Sequence, residues 1–183
     1  MNSFDAVYHE NFNPANLNNN IGIIRLPELV SESIVLGTYL PEPESDMPFM
    51  ATVFGYGYTS EVTGSMCFVY FVVFGLIIII KFIALPASLQ FGALIPITND
   101  ECSLVYGNQL ITAGTMCAIP SFMGSRICHG DQGGPLIAAD TSRLTGIASF
   151  WYSSCEDENP MVFVRVSSYL DWINNIISDE ENK

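Results

Sequence analysis

The second half of the chain is cut into short apolar runs by turn residues, and that pattern limits the fold to β structure. Pro135–Ala138, Leu144–Phe150 and Met161–Val166 are too short for independent helices, have no helical period, and are bounded by Gly, Asp, Ser and Asn. Ile21–Leu26 reads the same way, as does Phe49–Phe54, which runs into the glycine turn Gly55-Tyr56-Gly57. The pattern predicts an all-β barrel or sandwich. The end of the chain differs. Ser168-Tyr-Leu-Asp171 fits a capping box, and Tyr169, Ile173, Ile176 and Ile177 fall near helical spacing. A single C-terminal helix of about three turns is expected there. Residues 41–48 carry three Pro and three acids and read as an extended linker or surface loop. There are no internal repeats.

Composition narrows the function classes. The 183 residues suffice for one domain or a little more. With 49% hydrophobic and 14% charged residues, the chain has the apolar mass for a core and is not a disordered acidic tail. A net charge of −13 excludes nucleic-acid binding through a basic patch and disfavours an anionic membrane surface. The acidic stretches Glu28–Asp46, Glu156-Asp157-Glu158 and Asp179-Glu180-Glu181 read as solvated surface, with a dock for a basic partner as the alternative. The opening MNSFDAVYHENF has no basic n-region and no apolar h-region, so no signal peptide is expected. The two His lie in different loops without a spaced Cys or acid cluster, which is no zinc signature. No phosphate loop or dinucleotide fingerprint occurs, and no cofactor is expected. The five Cys leave at least one unpaired or paired between chains.

One segment stands apart. Met66 to Ile80 is continuously apolar, Lys81 interrupts it, and Phe82 to Leu85 resumes it. About 20 such residues cross a bilayer as a helix. Three readings stand: a membrane span, a translated stretch of non-coding sequence, or a buried or aggregation-prone insert. A span would place the strands before and after it on opposite sides of a membrane, and a barrel built from both could not close.

The stretch Cys128-His129-Gly130-Asp131-Gln132-Gly133-Gly134-Pro135-Leu136 resembles the nucleophile loop of trypsin-like serine proteases, C-x-G-D-S-G-G-P-L, with Gln in the place of Ser. Phe12-Asn13-Pro14 through Leu26 resembles the segment around the catalytic Asp. Gly55-Tyr56-Gly57 resembles the G-W-G strand end. Thr98 to Cys102 resembles the segment before an intermediate helix, and Pro160 to Trp172 the closing strand and helix. The motifs have the character of secreted insect members. The resemblance covers most of the chain outside residues 66–86. It implies a double β-barrel with the first barrel truncated (residues 1–40), a linker at 41–48, a second, nearly complete barrel over 49–167 with an insertion at 66–86, and a helix and acidic tail over 168–183.

The family's chemistry needs a Ser to attack, a His to take its proton and an Asp to orient that His. By resemblance the Ser position is Gln132 and the Asp position is Asn20. The His belongs upstream of this chain's start, and His9 matches a surface stretch instead. No intact catalytic set is therefore expected. A carboxamide cannot form an acyl-enzyme, and Asn favours the wrong imidazole tautomer. His129 is expected as an exposed rim residue. A catalyst built on it would need nucleophile, base and orienter to meet anew. Gly130 and the N–H of Gln132 would form the oxyanion hole, and Asp131, lacking an N-terminal ammonium, is expected to be unpaired in a disordered or zymogen-like loop. The base of the specificity pocket maps to Arg126. Its walls map to Trp151 and Met161, which are expected to fill it, the alternative being selection of an acidic side chain by Arg126. The resemblance pairs Cys102 with Cys117 and Cys128 with Cys155, leaving Cys67. It implies an extracellular protein that acts by binding, its partner a protease, an inhibitor or another secreted protein. The alternatives are a secreted serine endopeptidase known here only through a faulty record, and a membrane-tethered module.

Overall fold

The computed structural model describes residues 5–26, 37–43, 47–58, 66–73, 76–83, 86–122, 125–152, 154–155 and 157–181, with the backbone alone for 66–73, 76–83 and 179–181. Residues 28–36 and 44–46, Glu156 and the acidic side chains near the C-terminus lie outside the described residues.

The chain opens with β1 (Asp5–Tyr8) and β2 (Gly22–Arg25), which form a two-stranded antiparallel sheet closed at its end by an Asp5–Arg25 ion pair. β3 (Ala51–Gly55) begins the main body. After it come β4 (Met66–Val73) and β5 (Leu76–Ile83), an antiparallel pair that forms a sheet of its own. The apolar run that reads as a membrane span, a translated non-coding stretch or a buried or aggregation-prone insert is folded as two paired strands. No helix among the described residues is long and apolar enough to cross a membrane. The body continues with β6 (Gln90–Ile97), helix α1 (Asn99–Tyr106), β7 (Thr115–Pro120), β8 (Pro135–Ala138), β9 (Leu144–Phe150) and β10 (Met161–Arg165). A 3₁₀ turn, Val166–Tyr169, leads into helix α2 (Leu170–Glu181).

Strands β10, β7, β6, β3, β8 and β9 close into a barrel in that order. Alternation explains the closure. On β6, Gly92, Leu94 and Pro96 are buried while Phe91 and Ile95 face outward, so one face of each strand feeds one core. Val53, Leu94, Met116, Leu136, Ala148, Met161 and Phe163 fill it.

Two joints attach other elements to the barrel. α1 starts at the N-cap Thr98, whose Oγ1 accepts from the Glu101 N–H (3.2 Å), while Glu101 Oε2 accepts from the Thr98 N–H (3.0 Å) and hydroxyl (2.8 Å). Its one buried residue, Cys102, is bonded to Cys117 of β7. The capping box expected at Ser168 is not made. Ser168 Oγ instead donates to Ala113 O (2.9 Å), and the 3₁₀ turn occupies the position. At the second joint, Ile21 packs with Val164, Val166, Tyr169 and Ile173, holding the β1–β2 sheet against β10 and α2. The expected strand and helix boundaries otherwise differ from the observed ones by a few residues, the usual fraying range.

The Thr98 hydroxyl and N–H hold the Glu101 carboxyl below the usual carboxylate range. A depressed carboxylate stabilises the fold above its unfolded pKa, and that contribution is lost as pH falls through the folded value. Glu101→Ala is therefore expected to lower the thermal unfolding midpoint near neutral pH. The gap to the parent should narrow in acid, as a melting series over pH would record.

Candidate active-site cleft

The loop from Cys128 to Pro135 is two consecutive tight turns. Asp131 N donates to Cys128 O and Gly134 N to Asp131 O, each at 2.9 Å. The turns need left-handed backbone at Gly130 (φ 99°) and Gly133 (φ 82°), which glycine adopts without a Cβ penalty. Gly133 N donates to Ala148 O (2.8 Å) and Ala148 N to Gly134 O (2.9 Å), fastening the loop to β9. The Cys128–Cys155 disulfide fastens its other side.

Asp131 overturns the expectation of an unpaired carboxylate in a disordered loop. Its Oδ1 accepts from Gly57 N (2.7 Å) and its Oδ2 from Cys128 N (2.8 Å). Backbone donors do the work expected of an ammonium. The glycine turn explains how they reach it. A Cβ at Gly55 or Gly57 would overlap the Asp131 carboxylate, so the chain can pass that close only with glycine at both positions.

Asn20 and Gln132 meet on one residue that sequence reasoning did not single out, Ser149 at the end of β9. Asn20 Nδ2 donates to Ser149 Oγ and Gln132 Nε2 to Ser149 O, each at 3.1 Å. They line an open cavity of about 670 Å³ together with Tyr8, Phe12 and Ile24 of the N-terminal segment. The residue pair was visible by motif. Ser149 was not, because nothing in Ile147-Ala-Ser-Phe150 marks its serine as an acceptor for two carboxamides. Among the described residues, no acceptor takes the N–H of Gly130 or Gln132. Those two donors stay available at the loop apex. The Gln132 side chain is a carboxamide, which orients by hydrogen bonding and has no nucleophilic oxygen or sulfur to ionise.

His9 sits in a packed joint with the C-terminal turn and helix. Its ring stacks on Trp172 (centroids 5.1 Å apart) and stands edge-on to Tyr169 (5.6 Å). Its Nδ1 accepts from Asn11 N (3.2 Å), and Trp172 Nε1 donates to the neighbouring Glu10 carboxylate (3.1 Å). His129 is exposed on the rim, edge-on to Trp151 at 5.2 Å.

The residues mapped to the specificity pocket are only partly brought together. Met161 is fully buried, with its Sδ 3.1 Å from Ile127 N. Trp151 packs against the same core cluster. Arg126 is half-buried and has no hydrogen-bond or ion-pair partner among the described residues.

The family model described as Trypsin matches residues 81–173, the stretch that holds the loop, β9 and both disulfides. The chain belongs to the trypsin family. This trypsin-family chain is 29% identical over 178 residues to a collagenase of Hypoderma lineatum, covering 94% of itself and 59% of that relative. It is 32% identical over 174 residues to brachyurin of Leptuca pugilator, covering 93% of itself and 66% of the relative. It thus spans less than two thirds of the length of either relative. The solved structure of HL collagenase superposes with a TM-score of 0.75 at 28% identity, over 95% of this chain and 67% of that one. The trypsin-like fold follows, with one closed barrel, a smaller N-terminal sheet and a C-terminal helix.

Gly57→Ala should displace the Asp131 carboxylate and leave buried donors unmet, at a cost of about 1–3 kcal/mol. Urea unfolding would measure it. An unchanged midpoint would mean that the carboxylate does not anchor the loop.

Proposed function

We propose that this trypsin-family protein acts by binding and does not hydrolyse peptides. The observation that carries the reading is the Gln132 side chain at the loop apex, hydrogen-bonded to Ser149 O beside the carboxamide of Asn20. Acyl transfer needs an oxygen or sulfur nucleophile with an adjacent base. Gln132 is neither, and Asn20 cannot take the charge that an orienting carboxylate carries. Met161 and Trp151 occupy ground that, by resemblance, a substrate side chain would enter. The partner class is a secreted protein: a protease, an inhibitor or a substrate-like chain. Two disulfides fit an oxidising, extracellular setting.

A second reading, a serine-type endopeptidase, has one observation in its favour. The loop keeps its two tight turns and both apex N–H groups, the frame that an oxyanion hole uses. Relatives named collagenase and brachyurin point the same way.

A fluorophosphonate probe separates the two. The protein should take no covalent label, and Gln132→Ser should take none either, because a lone Ser beside Asn20 has no activating base. Labelling of the unmodified protein, mapped to this chain, would establish the endopeptidase and end the binding reading.

A further inference from the structure

The open cavity of about 670 Å³ is distinct from the ground to which Arg126, Trp151 and Met161 map, since none of those three lines it. One of its walls is the N-terminal segment. Ile21 and Ile23 pack with residues of β10 and α2, and the alternate residues Gly22 and Ile24 line the cavity. Tyr8 is the register partner of Gly22 and lines it too, as does Phe12. Tyr8, Phe12 and Ile24 are 76%, 38% and 66% exposed, so an occupant has apolar surface to cover.

The polar groups lie at the seam with β9. Asn20 and Gln132 each spend an amide N–H on Ser149, which is itself 95% buried (5% exposed). Their oxygens, Asn20 Oδ1 and Gln132 Oε1, meet no donor among the described residues. A carboxamide oxygen has two lone pairs, so an occupant that displaces water from it has to donate a hydrogen bond.

Charge narrows the occupant. Among the described residues, no lining side chain is charged, on a chain of net charge −13. A charged group entering here would lose water without gaining a counter-charge. The small number of polar groups narrows it again. A saccharide has a hydroxyl on most of its carbons, and against a largely apolar wall several would be left unmet. A peptide segment presents one N–H and one C=O per residue, and between them a side chain that can cover Tyr8, Phe12 and Ile24. The volume lies within the roughly 300–1,000 Å³ of ligand pockets, which suits a short segment.

We infer that this cavity is a recognition site for an uncharged peptide segment with a large aliphatic or aromatic side chain, read by Tyr8, Phe12 and Ile24 and fixed through the carboxamide oxygens of Asn20 and Gln132. The inference rests on the binding reading above and assigns recognition to the N-terminal wall.

An NMR titration of the isotope-labelled intact chain with the doubly capped tripeptides Ala-Phe-Ala, Ala-Lys-Ala and Ala-Asp-Ala tests it. The Phe peptide should shift the amides of Gly22 and Gly133 saturably, and the Lys and Asp peptides should bind at least tenfold more weakly. Tyr8→Ser/Ile24→Gln should weaken the Phe peptide roughly tenfold. Both side chains are mostly exposed, so the unfolding midpoint should stay unchanged. Gln132→Met keeps the length, loses the acceptor and should weaken it about threefold. The inference is overturned, with the binding reading left standing, if no peptide binds, if the three bind equally, if the shifts gather at Arg126 and Trp151, or if the variants bind like the parent. Tighter binding of maltotriose than of the Phe peptide would also overturn it, by making a saccharide the occupant. Cleavage of the peptide by the purified chain would end the binding reading and this inference together.

Discussion

The Asp131 carboxylate, held between the N–H groups of Gly57 and Cys128, is the contact on which the geometry of the cleft depends. It ties the end of β3 to the loop before β8, segments 74 residues apart. A half-buried carboxylate without donors would be costly and would drag the loop toward solvent. With both oxygens met, the turns at Gly130 and Gly133 are set, and the Gln132 side chain is aimed at β9. The glycine turn after β3 is part of the same device, because only a chain without Cβ atoms passes close enough to donate.

The other wall of the cleft is set by packing. Ile21 and Ile23 bury against β10 and α2, and Tyr169 donates to Asn19 across 3.1 Å. His9, stacked on Trp172, secures the segment that leads into this wall. Asn20 therefore reaches Ser149 because its neighbours are anchored by apolar contact. Its own hydrogen bond is the consequence of that placement.

Much of the barrel was legible in the sequence because alternation and turn residues are local signals. β8, β9 and most of β10 fall where apolar runs end in Gly, Asp or Asn. The nucleophile-like loop was legible by motif, and the pairing of four cysteines came with it. Three things were not. The Asp131 partners are backbone groups, which leave no residue-type signature, so the loop read as disordered. Ser168 reads as an N-cap until Ala113 O competes for its hydroxyl. The run from Met66 to Ile83 has the hydropathy of a helix span, and only the pairing of its two halves, to which hydropathy is blind, resolves it into two strands.

The bond from Asn20 to Ser149 joins positions 129 apart in the chain. Closing so long a loop carries an entropic cost, which the packing of the flanking residues must offset. Asn20 and Gln132 each donate to Ser149, so the two carboxamides act as a latch that holds the N-terminal segment and the loop to β9. Through β9 the latch joins the N-terminal segment to the C-terminal half of the chain.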